Sequence, residues 1–441
     1  MLLRNGSPRA AAPRVLGAAL LAAAALAAFA APGRTAGFAL FEQGAAAIGR
    51  GGAYAAGADD PSALFYNPAA LAGLDGSQLS VSPTLLFFDD SFAGAAPYPG
   101  FDVREETDRK AFPLPCVYAS QRLQRRVTGA VGLFAPFGLE TDWTNSADFS
   151  GRFVAWRSRI EQYDGAAALA AELSPRVRVG AALDLAFSKI LLRRAVAAPL
   201  PGADFAPEVG TVQLESSHQS SVAGTFGIQV LPTDQIKVGA TLRTGSSNDF
   251  QTPATFDYLA FTTGNAREDS TIAAQLPRNQ DASVRIPFPM MLLAGIEARL
   301  SERLTAELDL NWTRWSTFDT VALVLSKNPE RNVYAPEHWT DVTAVRLGLE
   351  YRLEPLRLRA GAYFDPTPQP AWAMSPLISD TNRLGFTVGA GYRAESGFRA
   401  DAFALLVEFQ NRSTDQANLN HLDGTYRPRA FIVGASAGWG R

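Results

Sequence analysis

His218, His338 and His421 are the three histidines of the 441-residue chain, and Cys116 is its one cysteine. The histidines stand far apart, at strand beginnings or in loops, whereas a zinc site gathers three or four nitrogen or sulfur ligands at short spacings. No metal or cofactor is expected. The glycine-rich run GRGGAY, Gly49 to Tyr54, lacks the Gly-x-Gly-x-x-Gly spacing that cradles a pyrophosphate, and there is no Walker sequence. A Ser-His-acid constellation is recognised by geometry, and nothing local points to one. The chain is read as no enzyme. What remains is charge beside apolar surface. Arg157, Arg159 and Glu161 alternate on one face, and Phe38, Leu40 and Phe41 cluster early in the chain. An arginine next to an apolar pocket could hold a carboxylate by charge-assisted hydrogen bonds. Arg157 is the candidate. Mixed charge along a barrel lumen, which also describes Arg346, Glu350, Arg357 and Arg359, would look the same.

The elements that must position these residues repeat with a period of two. In RVRVGAALDLAFSKILL, Val177, Val179, Ala181, Leu183, Leu185 and Phe187 share one face, and Arg176, Arg178, Asp184 and Ser188 the other. ERLTAELDLNWTRW, TAVRLGLEYRL and RLGFTVGAGYR behave alike. The strands predicted are 78–88, 112–123, 126–138, 152–173, 176–196, 211–231, 234–246, 282–300, 302–325, 338–353, 356–365, 380–394, 397–410 and 427–441. Their connections alternate between two or three residues and a dozen or more. Tight turns on one rim and long loops on the other describe an all-β transmembrane antiparallel barrel of about fourteen strands. Hydrocarbon cannot satisfy open backbone groups, so a spanning sheet must close. Several segments exceed the roughly 9–11 residues that cross a membrane, so they should project beyond it. Tyr351, Tyr392, Trp312, Trp315 and Trp439 fall near strand ends, where an aromatic girdle meets the interface.

Apolar residues make up 47% and charged residues 19%, but the one long apolar run is Val15 to Ala31. It follows Arg4, Arg9 and Arg14 and ends in small residues, the form of a secretory signal peptide. Residues 1–30 are assigned to it, with cleavage between 30 and 36. Removal takes away three arginines and no acid from a chain of formal charge −3, so no nucleic-acid partner is expected. A lone cysteine builds no disulfide framework. Barrel diameter grows with strand number, and fourteen strands leave a lumen unless something fills it. Residues 37–77, rich in Gly and Ala, are the expected plug, with 78–441 as the barrel. Exposed in a loop, Phe38, Leu40 and Phe41 would each forgo roughly 1.5–3 kcal/mol of burial. Inside the barrel they either line a substrate pocket or anchor the plug. Asn67-Pro68 is a turn on local grounds.

GFALFEQGAAAIGRGGAYAAGADDPSALFYNPAAL, from Gly37 to Leu71, resembles the N-terminal hatch of the FadL/TodX/OmpP1 family of outer-membrane transporters for long-chain fatty acids and other hydrophobic compounds. APFGLETDW with SGRF, LRAGAYFDPTPQP and SDTNRLGFTVGAGYR follow in the family's order. The resemblance implies a passive channel in the outer membrane of a Gram-negative bacterium. Its ligands would be fatty acids or aromatic hydrocarbons, its surroundings outer-membrane lipids and lipopolysaccharide, its inserter the barrel-assembly machinery, and its state a monomer. It implies capture by extracellular loops, a hatch that shifts on binding, and lateral exit beside a kink in the third strand. Asn67, Pro68 and Ala69 would then pack against that kink. Pro136, between Ala135 and Phe137 and just before Gly138, supports a kink independently, since proline removes a ladder donor. The family usually finishes on an aromatic residue, whereas here Trp439 stands third from the end. The alternatives are a general diffusion porin, which would lack a plug, and a non-transport surface barrel such as an adhesin.

Overall fold

The computed structural model describes residues 37–198, 208–259, 265–414 and 418–440. The leader assigned to residues 1–30 lies outside the described residues. Fourteen antiparallel strands close a barrel. In chain order they run over Ser77–Val81 with Thr84–Asp89, Lys110–Leu114 with Val117–Gln124, Val127–Asp142, Arg157–Ser174, Val177–Ala197, Glu208–Glu215 with Gln219–Thr233, and Ile236–Arg243 with Ser246–Tyr258. The second half comprises Gln280–Phe288 with Met291–Arg299, Leu304–Thr313 with Thr320–Leu325, Val333–Pro336 with Val342–Leu353, Leu356–Asp365, Arg383–Arg393, Phe398–Phe409 and Arg429–Gly440. The first strand pairs with the fourteenth, Leu79 opposite Trp439 and Phe87 opposite Phe431, which closes the ring.

The two-residue period decides which way each strand faces. Leu183, Leu185 and Phe187 of the fifth strand are exposed on the outer wall, while the alternate residues Asp184, Ala186 and Ser188 are buried in the lumen. Tyr351, Tyr392 and Trp439 lie on the outside at strand ends, as an interfacial girdle requires. Trp315 does not. The ladder of the ninth strand stops at Thr313, and a short 3-10 turn, Trp315–Thr317, swings the indole inward until it is fully buried.

The fifth strand is 21 residues long, about twice a membrane crossing, so the barrel wall stands well above the bilayer. The seventh strand reaches Tyr258 rather than 246. Its upper part alternates buried Asn248, Phe250, Thr252 and Ala254 with exposed polar residues; above the membrane the outer face is wet, so the apolar half of the pattern disappears. The following connection holds a helix, Ala266–Gln275, capped by the Asn265 side chain. A four-stranded sheet of Ser91–Gly94, Arg104–Glu106, Arg412–Ser413 and Gly424–Tyr426 ties the first extracellular loop to the last. Phe92, Trp143, Phe149, Met374, Leu422 and Tyr426 form the core beneath it.

Residues 37–76 fill the lumen. Their regular structure is slight: two four-residue helices, Ala45–Ile48 and Ala63–Tyr66, and the 3-10 turn Pro68–Gly73. Local turns satisfy part of the segment's backbone, as where Gly52 N donates to Ala47 O and Asn67 N to Ala63 O; the buried groups left over must find partners elsewhere, and the barrel wall supplies them. Asp309 accepts from the N–H groups of Tyr54 and Ala55 at 2.7 and 2.8 Å. Glu307 accepts from those of Ala56 and Gly57 at 2.7 and 3.0 Å. The Thr387 hydroxyl accepts from Gly51 and donates to Gly49. Arg50 of the plug pairs with Glu297 at 2.9 Å and Glu307 at 2.6 Å. Wall glycines let the plug approach closely: a Cβ on Gly361 would stand 2.2 Å from Gly51 N, and one on Gly180 2.4 Å from the Pro68 carbonyl carbon.

Candidate functional site

Proline at 136 cannot donate to a ladder, and the third strand bulges there. Its register with the fourth strand jumps from Phe134–Asp164 to Phe137–Gln162, so Ala135 and Pro136 oppose Tyr163 alone. The other side is open as well. Below the bulge the second strand pairs with the third up to Val117–Leu133. Above it, the backbone of Lys110–Leu114 pairs with the first strand only; the Lys110 ammonium reaches across to Glu140 and Asp142, and backbone contact with the third strand resumes where Asp108 N donates to Asp142 O, beside the Thr107–Trp143 bridge. The wall therefore has a gap between Leu114 and the upper third strand.

The start of the plug closes this gap from inside. Ala39 bridges Phe137; Leu40 N donates to Pro136 O at 2.8 Å and Gly138 N to Phe38 O at 2.9 Å. The Gln43 amide donates to Ala135 O at 2.5 Å, and its oxygen accepts from the Cys116 thiol at 3.1 Å. Residues 38–40 thus serve as a substitute strand where the barrel lacks one. Sequence reasoning found Pro136 but not Gln43, whose role rests on a contact 92 positions away.

Outside this arm lies a cavity of about 280 Å³. Leu86, Phe88, Phe112, Leu139, Ile160 and Phe409 give it an apolar wall, Leu40 and Phe137 its inner side, and Arg159 and Arg383 with Glu42, Glu140, Glu161 and Asp380 its charged groups. The Nε–H of Arg159 and that of Arg383 are buried and make no hydrogen bond with the protein. Arg383 Nη2 donates to Gly37 O at 3.1 Å. Burial pushes the Glu42 carboxyl up from its ordinary range, against the pull of Arg346 and Arg383. The arrangement offers a molecule an apolar bed, guanidinium donors and a gap to the outside of the wall.

The residues singled out from the sequence separate into three groups. Leu40, Phe137 and Gly138 line the cavity, and Pro136 accepts the arm's first hydrogen bond. Phe38 and Phe41 do not line it. Phe38 sits among Phe137, Phe288, Trp315, Phe318 and Trp339 with ring centroids 4.8–6.1 Å away, and Phe41 packs on Phe65 and under Arg346; both anchor the plug. Arg157 is also off the cavity, held by Glu140 at 3.0 Å and Asp142 at 3.4 Å. Its neighbour two residues on, Arg159, takes the place on the cavity wall. Asn67, Pro68 and Ala69 are not at the kink. The Asn67 amide donates to Ala55 O at 2.7 Å and to Ile228 O of the sixth strand at 3.1 Å. Its oxygen caps Ala69 N, and the turn lies against Gly180 and Gly227 of the fifth and sixth strands. Among the described residues no group of His, Cys, Asp and Glu is arranged to hold a metal.

With this geometry in place, comparison with known proteins is decisive. The sequence model of the outer membrane protein transport protein family (OMPP1/FadL/TodX) matches residues 24–439. The chain belongs to this family. It is an outer-membrane transport barrel rather than an enzyme. A chain of Neisseria meningitidis serogroup B named as an outer membrane protein is 26% identical over 428 residues, covering 87% of this chain and 90% of its own length. The crystal structure of a Pseudomonas aeruginosa FadL homologue superposes with a TM-score of 0.81 at 21% identity, over 92% of this chain and 100% of that one. The toluene transporters TodX of Pseudomonas putida and TbuX of Ralstonia pickettii give TM-scores of 0.69 and 0.66 at 16% and 17% identity, covering 91% and 90% of this chain and 99% of each of theirs. These FadL-like structures share the fold of this chain.

Proposed function

We propose that the protein carries hydrophobic molecules, and long-chain fatty acids in particular, from the cell exterior into the outer membrane. The observation that carries the reading is the cavity's position between the plug's first residues and the gap in the wall. A ligand in the cavity touches Leu40 and Phe137, the two sides of the seal, so occupancy and closure compete for the same residues. Loss of the Leu40–Pro136 and Gly138–Phe38 hydrogen bonds frees the arm, and the gap beside Leu114 then leads sideways into lipid. No energy source is required.

A fatty acid rather than a neutral hydrocarbon is favoured by Arg159 and Arg383, whose buried Nε–H groups make no hydrogen bond and whose carboxylate neighbours, Glu161 and Asp380, stand off at 4.0 and 3.9 Å. A carboxylate satisfies such donors; toluene does not. Hydrogen bonds to a charged partner contribute about 1.5–3 kcal/mol.

Tryptophan fluorescence of the detergent-purified barrel, titrated with oleate, toluene and a sugar, tests the reading. Saturable oleate binding that disappears when residues 37–70 are deleted is expected. Absence of apolar binding together with large steady ion conductance of the intact protein in planar bilayers would overturn it in favour of a diffusion porin.

A further inference from the structure

Extracellular connections run over protein surfaces because a buried loop leaves backbone polar groups without water. The connection between the eleventh and twelfth strands, residues 366–382, breaks this rule: Pro366 to Gln369 and Ala373 to Pro376 are buried, as are Ile378 to Thr381. Side chains take over the hydrogen bonds that water would make. Gln369 donates to Ala373 O at 3.1 Å and Ile378 O at 3.0 Å and accepts from Asp380 N at 3.0 Å. The segment holds its fold independently of the solvent.

Its path crosses the barrel. It leaves the eleventh strand and returns to the twelfth, yet its middle is bound to the third and fourth strands, five or more places round the ring of fourteen. Trp143 Nε1 and Thr141 Oγ1 donate to Pro376 O at 3.0 and 3.3 Å, and Ser158 Oγ to Leu377 O at 3.0 Å. A further tie is the Ser379 hydroxyl, which donates to Asp90 beyond the end of the first strand. Directly after these attachments Ile378, Ser379 and Asp380 line the cavity. The segment is a strap across the mouth of the barrel, and its underside is part of the cavity wall.

We infer that residues 366–382 are the outer gate of the cavity, and that their far-side attachments to Thr141, Trp143 and Ser158 must release before a molecule can enter from the exterior. The Leu40–Pro136 seal governs exit; the strap governs admission. Three hydrogen bonds to two carbonyl groups make the latch, separate from the base of the strap, where Arg412 donates to the carbonyl oxygens of Gln369 and Asp380.

The test uses the full barrel with Cys116→Ser and a reporter thiol at Ile160→Cys on the cavity wall. Its reaction with a small water-soluble methanethiosulfonate reagent is timed with and without Thr141→Val, Trp143→Phe and Ser158→Ala. Unlatching is expected to speed labelling at least tenfold. Because these changes could loosen the whole loop layer, a lock serves as the second arm: Ser158→Cys with Leu377→Cys in the Cys116→Ser chain without the reporter. Oleate should associate at least tenfold more slowly after oxidation than after reduction, with equal affinity in both forms. Unchanged labelling on unlatching, or equal oleate association in the oxidised and reduced forms, overturns the gate. Should oleate bind to neither form, the transport reading falls, and the labelling rates alone decide the gate for or against.

Discussion

The backbone N–H of Leu40 donates to the carbonyl oxygen of Pro136 at 2.8 Å, so the first turn of the plug is paired with the one stretch of wall that has lost its neighbour. Gln43 reinforces the pairing by donating to Ala135 O. A net contribution of about 0.5–1.5 kcal/mol is usual for such a bond. Gln43→Ala should therefore speed release of bound oleate roughly fivefold, as followed by stopped-flow tryptophan fluorescence, while barrel stability stays close to that of the parent. An unchanged release rate would separate the arm from the exit step.

Arg383 and Arg159 should distinguish a carboxylate from a neutral ligand. Arg383→Gln is expected to weaken oleate binding by roughly tenfold to a hundredfold, the range for hydrogen bonds to a charged group, and to leave toluene binding within twofold. Equal losses for both ligands would show that the substitution has merely reshaped the cavity. Arg157→Gln, itself off the cavity but paired with Glu140 of its wall, should change oleate binding less than Arg383→Gln does.

The plug's seat can be tested through Arg50. It is 3% exposed and faces Glu297 and Glu307; removing one partner of such a buried set costs about 3–5 kcal/mol, because a charge is left uncompensated. Arg50→Met should lower the thermal transition of the plug, seen as protease cleavage within residues 37–76 at temperatures the parent resists. Adding Glu307→Gln should recover part of the loss. A double variant no better than the single would place the cost in packing rather than charge.

Gly361 and Gly180 carry a steric version of the same prediction. The atoms that a new Cβ would meet belong to the backbone of Gly51 and Pro68 and cannot swing aside. Gly361→Val is expected to close a normal barrel with an unseated plug, raising ion conductance in planar bilayers. Parent-like conductance would mean that the plug shifts to accommodate it.

Asp90 gives the loop layer a pH response. Burial pushes its carboxyl up to about 7, against hydrogen bonds from Ser379, Ser91 and Arg427, while Asp89 adds to the rise. An unfolded aspartate titrates near about 3.9, so the folded form binds the proton more tightly. The resulting stabilisation is full below that value, declines as pH rises, and is gone above about 7. Near-ultraviolet circular dichroism should show the loop layer melting at lower temperature at about pH 8 than at about pH 5. Asp90→Asn should flatten the difference; a persistent slope in that variant would assign the effect to another group.

How much of this was legible in the sequence depends on what each residue answers to. Val177 to Phe187 alternate because one side meets lipid and the other the lumen, and that pattern is visible without coordinates. The upper seventh strand was missed because water on its outer face removes the contrast that marks a strand. Trp315 was misplaced because alternation predicts direction only while the ladder lasts, and it ends two residues earlier. Pro136 announced a bulge through its missing donor. Arg157 and Arg159 share a face and are equivalent in sequence; Glu140 and Asp142, on the neighbouring strand, draw Arg157 off the cavity, while Arg159, with only the longer 4.0 Å pairing to Glu161, lines it. Asn67 was recognised as a turn, but its contact with the sixth strand lies 161 positions away.

The plug's backbone is bound by Asp309, Glu307 and Thr387 much as a peptide is bound by a receptor, its own turns being joined to the wall by side chains. Residues 37–76 are in this sense a ligand that the barrel synthesises with itself, held by tether as much as by contact. The tether supplies a high effective concentration, so individually modest contacts suffice for occupancy. Severing the chain near residue 76 would turn an intramolecular equilibrium into a bimolecular one, and the separate peptide would compete for the lumen only when supplied in excess.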